Sequence, residues 1–237
     1  MTTTVARFGV GKTEYNNIKE GGFMSTKPFD FKKEFKDLYM PKTKPMLIEV
    51  PSINFIMVDG KGDPNNNEAF QQAVEILYGL SYAIKMSKMK GNQPQGYFDY
   101  TVPPLEGLWW VSEGPFSLKQ RDNWAWTVMI RQPEFVTSEV FNWACNQLKN
   151  KKPGVLIEGA RFETFDEGLC VQMMHIGPYA TEPETMKFMD DFIKGEGLTD
   201  RVGKGGKHHE IYLSDPRKSK PEKMKTVLRH PVASANE

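Results

Sequence analysis

His208-His209-Glu210-Ile211-Tyr212-Leu213-Ser214-Asp215-Pro216 reads as a strand running into a turn, apolar and aromatic residues giving way to an Asp-Pro pair. Glu210 and Tyr212 stand two apart, so both project from one face of that strand. An earlier stretch, Phe98-Asp99-Tyr100-Thr101-Val102-Pro103-Pro104, sets Tyr100 against Tyr212 and Phe98 against Glu210 when laid over it. One copy then offers a carboxylate where the other offers a ring.

Working outward from each copy gives the same succession of elements. Ahead of the first, 53–58 is a β-branched, apolar run ending at Gly60 and Gly62, and Asp63-Pro64 with Asn65 to Asn67 supplies turn and cap chemistry. Phe70, Val74, Leu77 and Ser81 then recur at helical spacing toward Met89, and 97–102 and 105–111, split by Pro103-Pro104, read as a strand pair. Ahead of the second, 169–176 is strand-like, Gly177-Pro178 turns the chain, and 181–184 opens a helix carrying Met186, Met189, Phe192 and Ile193 that Gly195 and Gly197 close. Strands at 208–213 and 225–229 follow. Each half is β-α-β-β, which predicts an α+β fold of two modules, about 45–112 and 165–231, related by a pseudo-two-fold axis with a central ligand cleft.

Between the modules, 124–131 reads as a further strand, and Thr137 or Ser138 caps a helix through Phe141, Ala144 and Leu148 that Pro153-Gly154 stops. Phe29, Phe31, Phe35 and Leu38 suggest a short amphipathic helix before Pro41, placed to act as a lid or strap. Residues 24–237 form one domain on this reading. The 1–23 segment lacks periodicity and ends in Glu20-Gly21-Gly22-Phe23 before Met24, an order whose codons can contain a bacterial ribosome-binding sequence. It is expected to be a disordered tail or a leader added by a misplaced start.

The 237 residues suffice for one core, or two small lobes sharing one. Lys and Arg number 31 and Asp and Glu 30, interleaved to a net charge of +1, so no electrostatic footprint for nucleic acid or an anionic membrane is expected. No apolar run approaches the roughly 18 to 20 residues that cross a bilayer, and no secretory leader is legible, which points to the cytoplasm. Cys145 and Cys170 lack the spacing of a zinc or redox pair and read as buried free thiols. The 5 Trp, 8 Tyr, 15 Phe and 13 Met are side chains that either fill cores or line sites for flat apolar ligands.

Chemistry gathers first on Glu210. If its face lines the cleft, a carboxylate sits among aromatics, suited to a general base or to an electrostatic partner for a cation; otherwise it lies in water. Tyr179, after Gly177-Pro178, sits where a turn presents a phenol at a cleft rim, or else packs. Trp109 and Trp110 must face opposite ways, whereas Trp124 and Trp126 share a face and with Met129 or Met173 form either a stacking platform or plain core. His208 and His209 have no third ligand at metal-like spacing, and His175 alone on a strand is more often a structural imidazole, so no metal and no cofactor are expected. The Gly203, Gly205 and Gly206 loop leads into a strand and does not form a phosphate site.

Pro104-Leu105-Glu106-Gly107-Leu108-Trp109-Trp110, the 124–133 stretch, His175-Ile176-Gly177-Pro178-Tyr179 and the 208–216 stretch together resemble stand-alone bacterial GyrI-like proteins, over roughly 29–231. The resemblance implies paired β-α-β-β modules of the SHS2/GyrI-like kind around a cleft for an apolar or aromatic small molecule. It also implies a buried glutamate before an aromatic on a second-module strand, the place held by Glu210 and Tyr212. Some similar stand-alone members hydrolyse the strained cyclopropane of DNA-alkylating cyclopropanoid toxins. By that resemblance Glu210 activates water, Tyr179 or Tyr212 assists the conjugated carbonyl, and tryptophans hold the flat ligand; the expected ligand contacts are Trp109, Trp110, Tyr100, Trp126, Met173 and His175. A multidrug-type binding or sequestering role, and a gyrase-interacting one, are the alternatives. Too few residues precede Phe29 for a DNA-reading domain, and a monomer or weak homodimer is expected.

Overall fold

The computed structural model describes residues 27–111 and 123–234, so the 1–23 leader lies outside the described residues. Two one-turn helices come first, α1 (Phe31–Glu34) and α2 (Lys36–Tyr39), followed by β1 (Met46–Val50) and β2 (Ile53–Lys61). Asn67 caps α3 (Glu68–Lys85), its Oδ1 accepting from the amides of Ala69 and Phe70 at 3.0 and 3.3 Å. Then come β3 (Leu105–Val111), β4 (Trp124–Arg131) and α4 (Ser138–Lys151), whose N-cap is Thr137. The second half runs β5 (Ala160–Phe165), β6 (Gly168–Ile176), α5 (Glu182–Gly195), β7 (Leu198–Asp200), β8 (His208–Tyr212) and β9 (Lys225–Ser234). The fold is mixed α+β around one large antiparallel sheet, ordered β1-β6-β9-β8-β3-β4-β2-β5, with β7 added to the end of β9.

That order forces curvature. β1 and β2 are six steps apart in the sheet, about 29 Å if it were flat at roughly 4.8 Å per strand. Yet only Pro51 and Ser52 join Val50 to Ile53, a span of at most about 11 Å. β5 and β6, also far apart in strand order, are joined by Asp166 and Glu167 alone. Both links can close only if the sheet curls, and Ser52 Oγ donates to Asp166 Oδ2 at 3.1 Å where they meet.

Alternation sorts the side chains between the two faces of this curl. The inner face carries Val50, Phe55, Leu108, Met129, Ile211 and Val227, plugged by Phe31, Phe35, Leu38 and Tyr39. The predicted lid is therefore a core plug: four large apolar side chains, each worth about 1.5 to 3 kcal/mol on burial, hold it inside. The outer face of β2 and β4 carries α3 and α4 through Ile76, Leu77, Leu80, Ala144 and Leu148. The outer face of β6 and β9 carries α5 through Met189 and Ile193. Between these two helical layers β3 and β8 lie at the centre of the sheet.

The strand-then-helix order expected of each half is present in β2-α3 and β6-α5, but the strands that follow are β3 and β4 in the first half, not the ones expected, and β7, β8 and β9 in the second. Residues 97–102 form no strand: one bridge joins Tyr100 to Phe29, and Tyr97, Phe98 and Tyr100 turn their rings into the cluster of Phe29, Phe31 and Phe135. Aromatic packing wins there over the ladder that the spacing suggested. Cys170 is buried, Cys145 is half-buried on α4, and both thiols are free. Among the described residues no helix is long and apolar enough to cross a membrane.

Candidate functional site

A cleft of about 890 Å³ opens between the helical layers, over β3 and β8. Its floor comes from alternation along those strands: Trp109 on β3, and Glu210 and Tyr212 on β8. Register places Gly107 opposite Glu210, and a Cβ on Gly107 would come within 2.8 Å of the Trp109 indole nitrogen. The missing side chain lets the indole lie across the strand. Trp109 Nε1 donates to the Tyr212 hydroxyl at 3.1 Å, and Tyr212 in turn hydrogen-bonds Glu210. Phe70 of α3 stacks on Trp109 at 5.9 Å, and Trp124 leans on it at 5.3 Å.

The second wall begins at Gly177, whose φ of 140° suits glycine, followed by Pro178 and the 3₁₀ turn Tyr179–Thr181. His175 pins this turn through Thr185 Oγ1 at 2.8 Å and the Pro178 carbonyl at 3.2 Å. The turn sets Tyr179 edge-on to Tyr212, with ring centroids 6.0 Å apart, and brings Glu182 of α5 into the cleft wall, 2% exposed. Burial, with Glu210 and Glu182 nearby, pushes the Tyr179 phenol up to about 12. Burial and then Glu210 push Tyr212 well above the ordinary tyrosine range. Both phenols stay protonated at neutral pH and serve as donors.

Of the residues expected at the site, Glu210, Tyr179, Tyr212 and Trp109 meet at the cleft. The others stand elsewhere. Tyr100 is fully buried on the inner side, and Trp126 lies beneath Phe70, edge-on at 5.1 Å, against Gly60. Met173 packs under α5, and His175 acts through the turn it pins. Trp110 faces the inner side, with the Lys207 ammonium 3.8 Å from its ring centre. Glu182, Phe70 and Tyr78 line the cleft without having been singled out. Phe70 belongs to the helical repeat read from the sequence and Tyr78 lies on the same helix, a signal that finds a wall but not a cavity.

Behind Glu210 the chain continues in buried imidazoles. Glu210 Oε1 lies 3.2 Å from His208 Nε2, His208 Nδ1 lies 2.7 Å from His230 Nε2, and His230 Nδ1 lies 2.7 Å from Asp200 Oδ2. Glu182, His208 and Glu210, and likewise Asp190, Asp200 and His230, bring potential ligand atoms within 4.8 Å of one another. Each nitrogen of His208 and His230 has a polar neighbour within this chain, so the two groups are linked into one line.

The same strands carry a second polar cluster on the inner face. His209 lies between Glu106, at 3.0 Å from Nε2, and Glu167, at 3.0 Å from Nδ1. Tyr39 donates to Glu106, and Arg229 donates to Glu167 at 3.2 Å, Gln172 at 3.0 Å and the Leu38 carbonyl at 2.9 Å. Burial opposes the charged imidazole, but Glu167 and Glu106 outweigh it and push His209 up to about 9. The space beside the cluster is about 10 Å³, roughly one water-sized sphere. Sealed and charge-balanced, it holds the plug in place.

The model of the GyrI-like small molecule binding domain family matches residues 43–233. A conserved protein from Listeria innocua of uncharacterised function is 55% identical, covering 86% of this chain and 100% of its own, with a TM-score of 0.83. Two structures from Listeria innocua described as hydrolases are 52% and 53% identical, with TM-scores of 0.79 and 0.80; they cover 86% and 87% of this chain and all of their own. Among curated proteins none matches.

Proposed function

Because the chain belongs to the GyrI-like small molecule binding domain family, we propose that its cleft takes a flat apolar or aromatic molecule and hydrolyses a strained cyclopropane conjugated to a carbonyl, the group borne by DNA-alkylating cyclopropanoid toxins. One observation carries this: Glu210, 5% exposed, meets a cleft of about 890 Å³ between Trp109, Tyr179 and Tyr212. That volume is within the range of drug-sized sites. The two similar Listeria innocua structures described as hydrolases favour turnover over capture.

Glu210 takes a proton from water as the water oxygen bonds a ring carbon. The cyclopropane C–C bond breaks, and its electron pair moves through the conjugated system to the carbonyl oxygen. Tyr212 or Tyr179 gives that oxygen a proton, and the proton on Glu210 returns to the phenol, which closes the balance at one water added. Release of ring strain leaves little for the protein to supply beyond alignment and general acid–base help worth about 10²- to 10⁴-fold. Trp109, with Phe70 behind it, holds the flat ligand.

Residues 24–237 act as one unit in this reading, and every site residue comes from one chain, so a monomer suffices. An approximate two-fold axis between β3 and β8 is supported by the palindromic strand order, β6-β9-β8 against β3-β4-β2, with an α-helix over each end. A detoxifying enzyme of this kind would meet its toxin in the cytoplasm. Capture without turnover is the second reading, favoured by the two carboxylates, Glu182 and Glu210, which suit a cationic ligand.

The test is incubation of substoichiometric protein with a cyclopropanoid alkylating compound in ¹⁸O-labelled water, followed by mass spectrometry. Many equivalents of labelled, ring-opened product are expected. Depletion that stops at one equivalent overturns hydrolysis in favour of capture, and no depletion overturns both.

A further inference from the structure

Glu210 is the cleft end of a line of four side chains from three strands: Glu210 and His208 on β8, His230 on β9, Asp200 on β7. The imidazoles of His208 and His230 are 0% and 2% exposed, whereas the Asp200 side chain is 27% exposed at the edge of the molecule. The two links of the line nearest Asp200 measure 2.7 Å and the link to Glu210 is longer, 3.2 Å.

The donors in such a line are set from one end. An imidazole with one nitrogen donating presents the other as an acceptor. Asp200 accepts from His230 Nδ1–H, which leaves His230 Nε2 to accept from His208 Nδ1–H, which sets His208 Nε2 as an acceptor toward Glu210. Asp200 imposes a tautomer on a ring it does not touch, one ring further along than in an Asp-His pair. Although burial opposes its charge, the His230 hydrogen bond holds the Asp200 carboxyl below its ordinary range, and burial lowers His208, so an ionised Asp200 and a neutral His208 suit the arrangement. Asp190 of α5 faces the His230 end, and Glu182, Tyr179 and Tyr212 face the Glu210 end.

We propose that His208, His230 and Asp200 form a proton store behind Glu210, a tautomer line that takes up the proton Glu210 has drawn from water and returns it within the same turnover. In the forward move the O–H of Glu210 breaks as His208 Nε2–H forms, His208 Nδ1–H breaks as His230 Nε2–H forms, and His230 Nδ1–H breaks as the O–H of Asp200 forms. Glu210 is again a carboxylate, Asp200 is a carboxylic acid, and both rings are neutral with exchanged tautomers. The reverse move gives the proton back to Glu210 and on to the phenol that served the substrate. No ring turns and no outside donor is needed. The chemistry of the store rests on the hydrolytic reading above, whereas the tautomer line is a property of the protein alone.

Asp200→Asn tests it in the full chain labelled with ¹⁵N-histidine. Val202 N donates to Asp200 Oδ1 at 2.7 Å, so the amide oxygen of asparagine keeps that place and its NH₂ turns to His230. Asparagine then donates where aspartate accepted, and both rings should change from Nδ1–H to Nε2–H, which ring-nitrogen spectra read directly. Asp200→Glu should keep the original tautomers. With a cyclopropane substrate, kcat of Asp200→Asn should fall about tenfold, part of what general acid–base groups supply, with KM unchanged. If His208 keeps its tautomer in Asp200→Asn, the line is overturned. If both rings change while kcat holds, the store is overturned and the line stands. If the wild type shows no turnover, the hydrolytic reading and the store fall together, and the spectra still decide the line.

Discussion

The two faces of the central sheet use nearly the same residues for opposite ends. On β8, His209 faces inward and His208 and Glu210 face outward; on β3, Glu106 faces inward beneath Tyr39 while Trp109 faces out. Each face has buried imidazole and carboxylate groups from one pair of strands. Inside, two carboxylates are answered by a charged histidine and Arg229 with about 10 Å³ to spare, so the cluster has no room for a ligand. Outside, carboxylates and phenols border about 890 Å³ of open cleft. Buried ionisable groups mark a reactive place only where space and an unmet proton demand accompany them.

Glu210→Gln and Glu106→Gln break this comparison most sharply. The first should lower turnover about 10²- to 10⁴-fold with the melting temperature nearly unchanged, because shape is kept and a base removed. The second should lower stability and leave turnover per folded molecule alone. Equal losses of turnover from both, with a cyclopropane substrate, would mean that the faces are not separate.

Arg229→Met probes the sealed face next. It leaves the Leu38 carbonyl without its Arg229 donor and Glu167 with His209 alone, and one partner removed from a buried ion pair costs about 3 to 5 kcal/mol. Urea unfolding should show that loss; a change under about 1 kcal/mol would mean water enters the cluster and relieves it.

The smallest expected effect is a pH dependence. His209 is raised in the folded state, so its contribution is complete below its unfolded value of about 6.5 and is lost as pH rises through about 9. Glu167 is lowered, against its burial, by His209 and Arg229, so its contribution is present above its unfolded value and lost as pH falls through the folded one. Stability should therefore be highest between about pH 4.5 and 6.5 and decline by about 3 kcal/mol toward pH 9.5. His209→Gln should flatten the alkaline decline, and an unaltered decline would assign it to other groups.

Much of this was legible. Period-two alternation put Glu210 and Tyr212 on one face, and Gly177-Pro178 marked the turn that presents Tyr179. Alternation says which residues share a face but not what covers it, and so Trp126, on the same face as Trp124, was not distinguishable from it. Phe70 covers Trp126, while Trp124 reaches the cleft. Tyr100 misled because a ring two residues from another ring looks the same in a strand as in an aromatic cluster. Asp200 and His230 could not be paired with Glu210 from spacing, since β7 has three residues and meets β9 only through the long return of the chain.

The two-residue links at Pro51-Ser52 and Asp166-Glu167 have an effect remote from any ligand. A sheet with free ends offers unpaired amides and carbonyls to other molecules, the usual start of edge-to-edge aggregation. Here the ends β1 and β5 are drawn toward each other by covalent ties and joined at Ser52 and Asp166. Tied at that corner, the two borders should be harder for another chain to extend along their whole length than free ends would be.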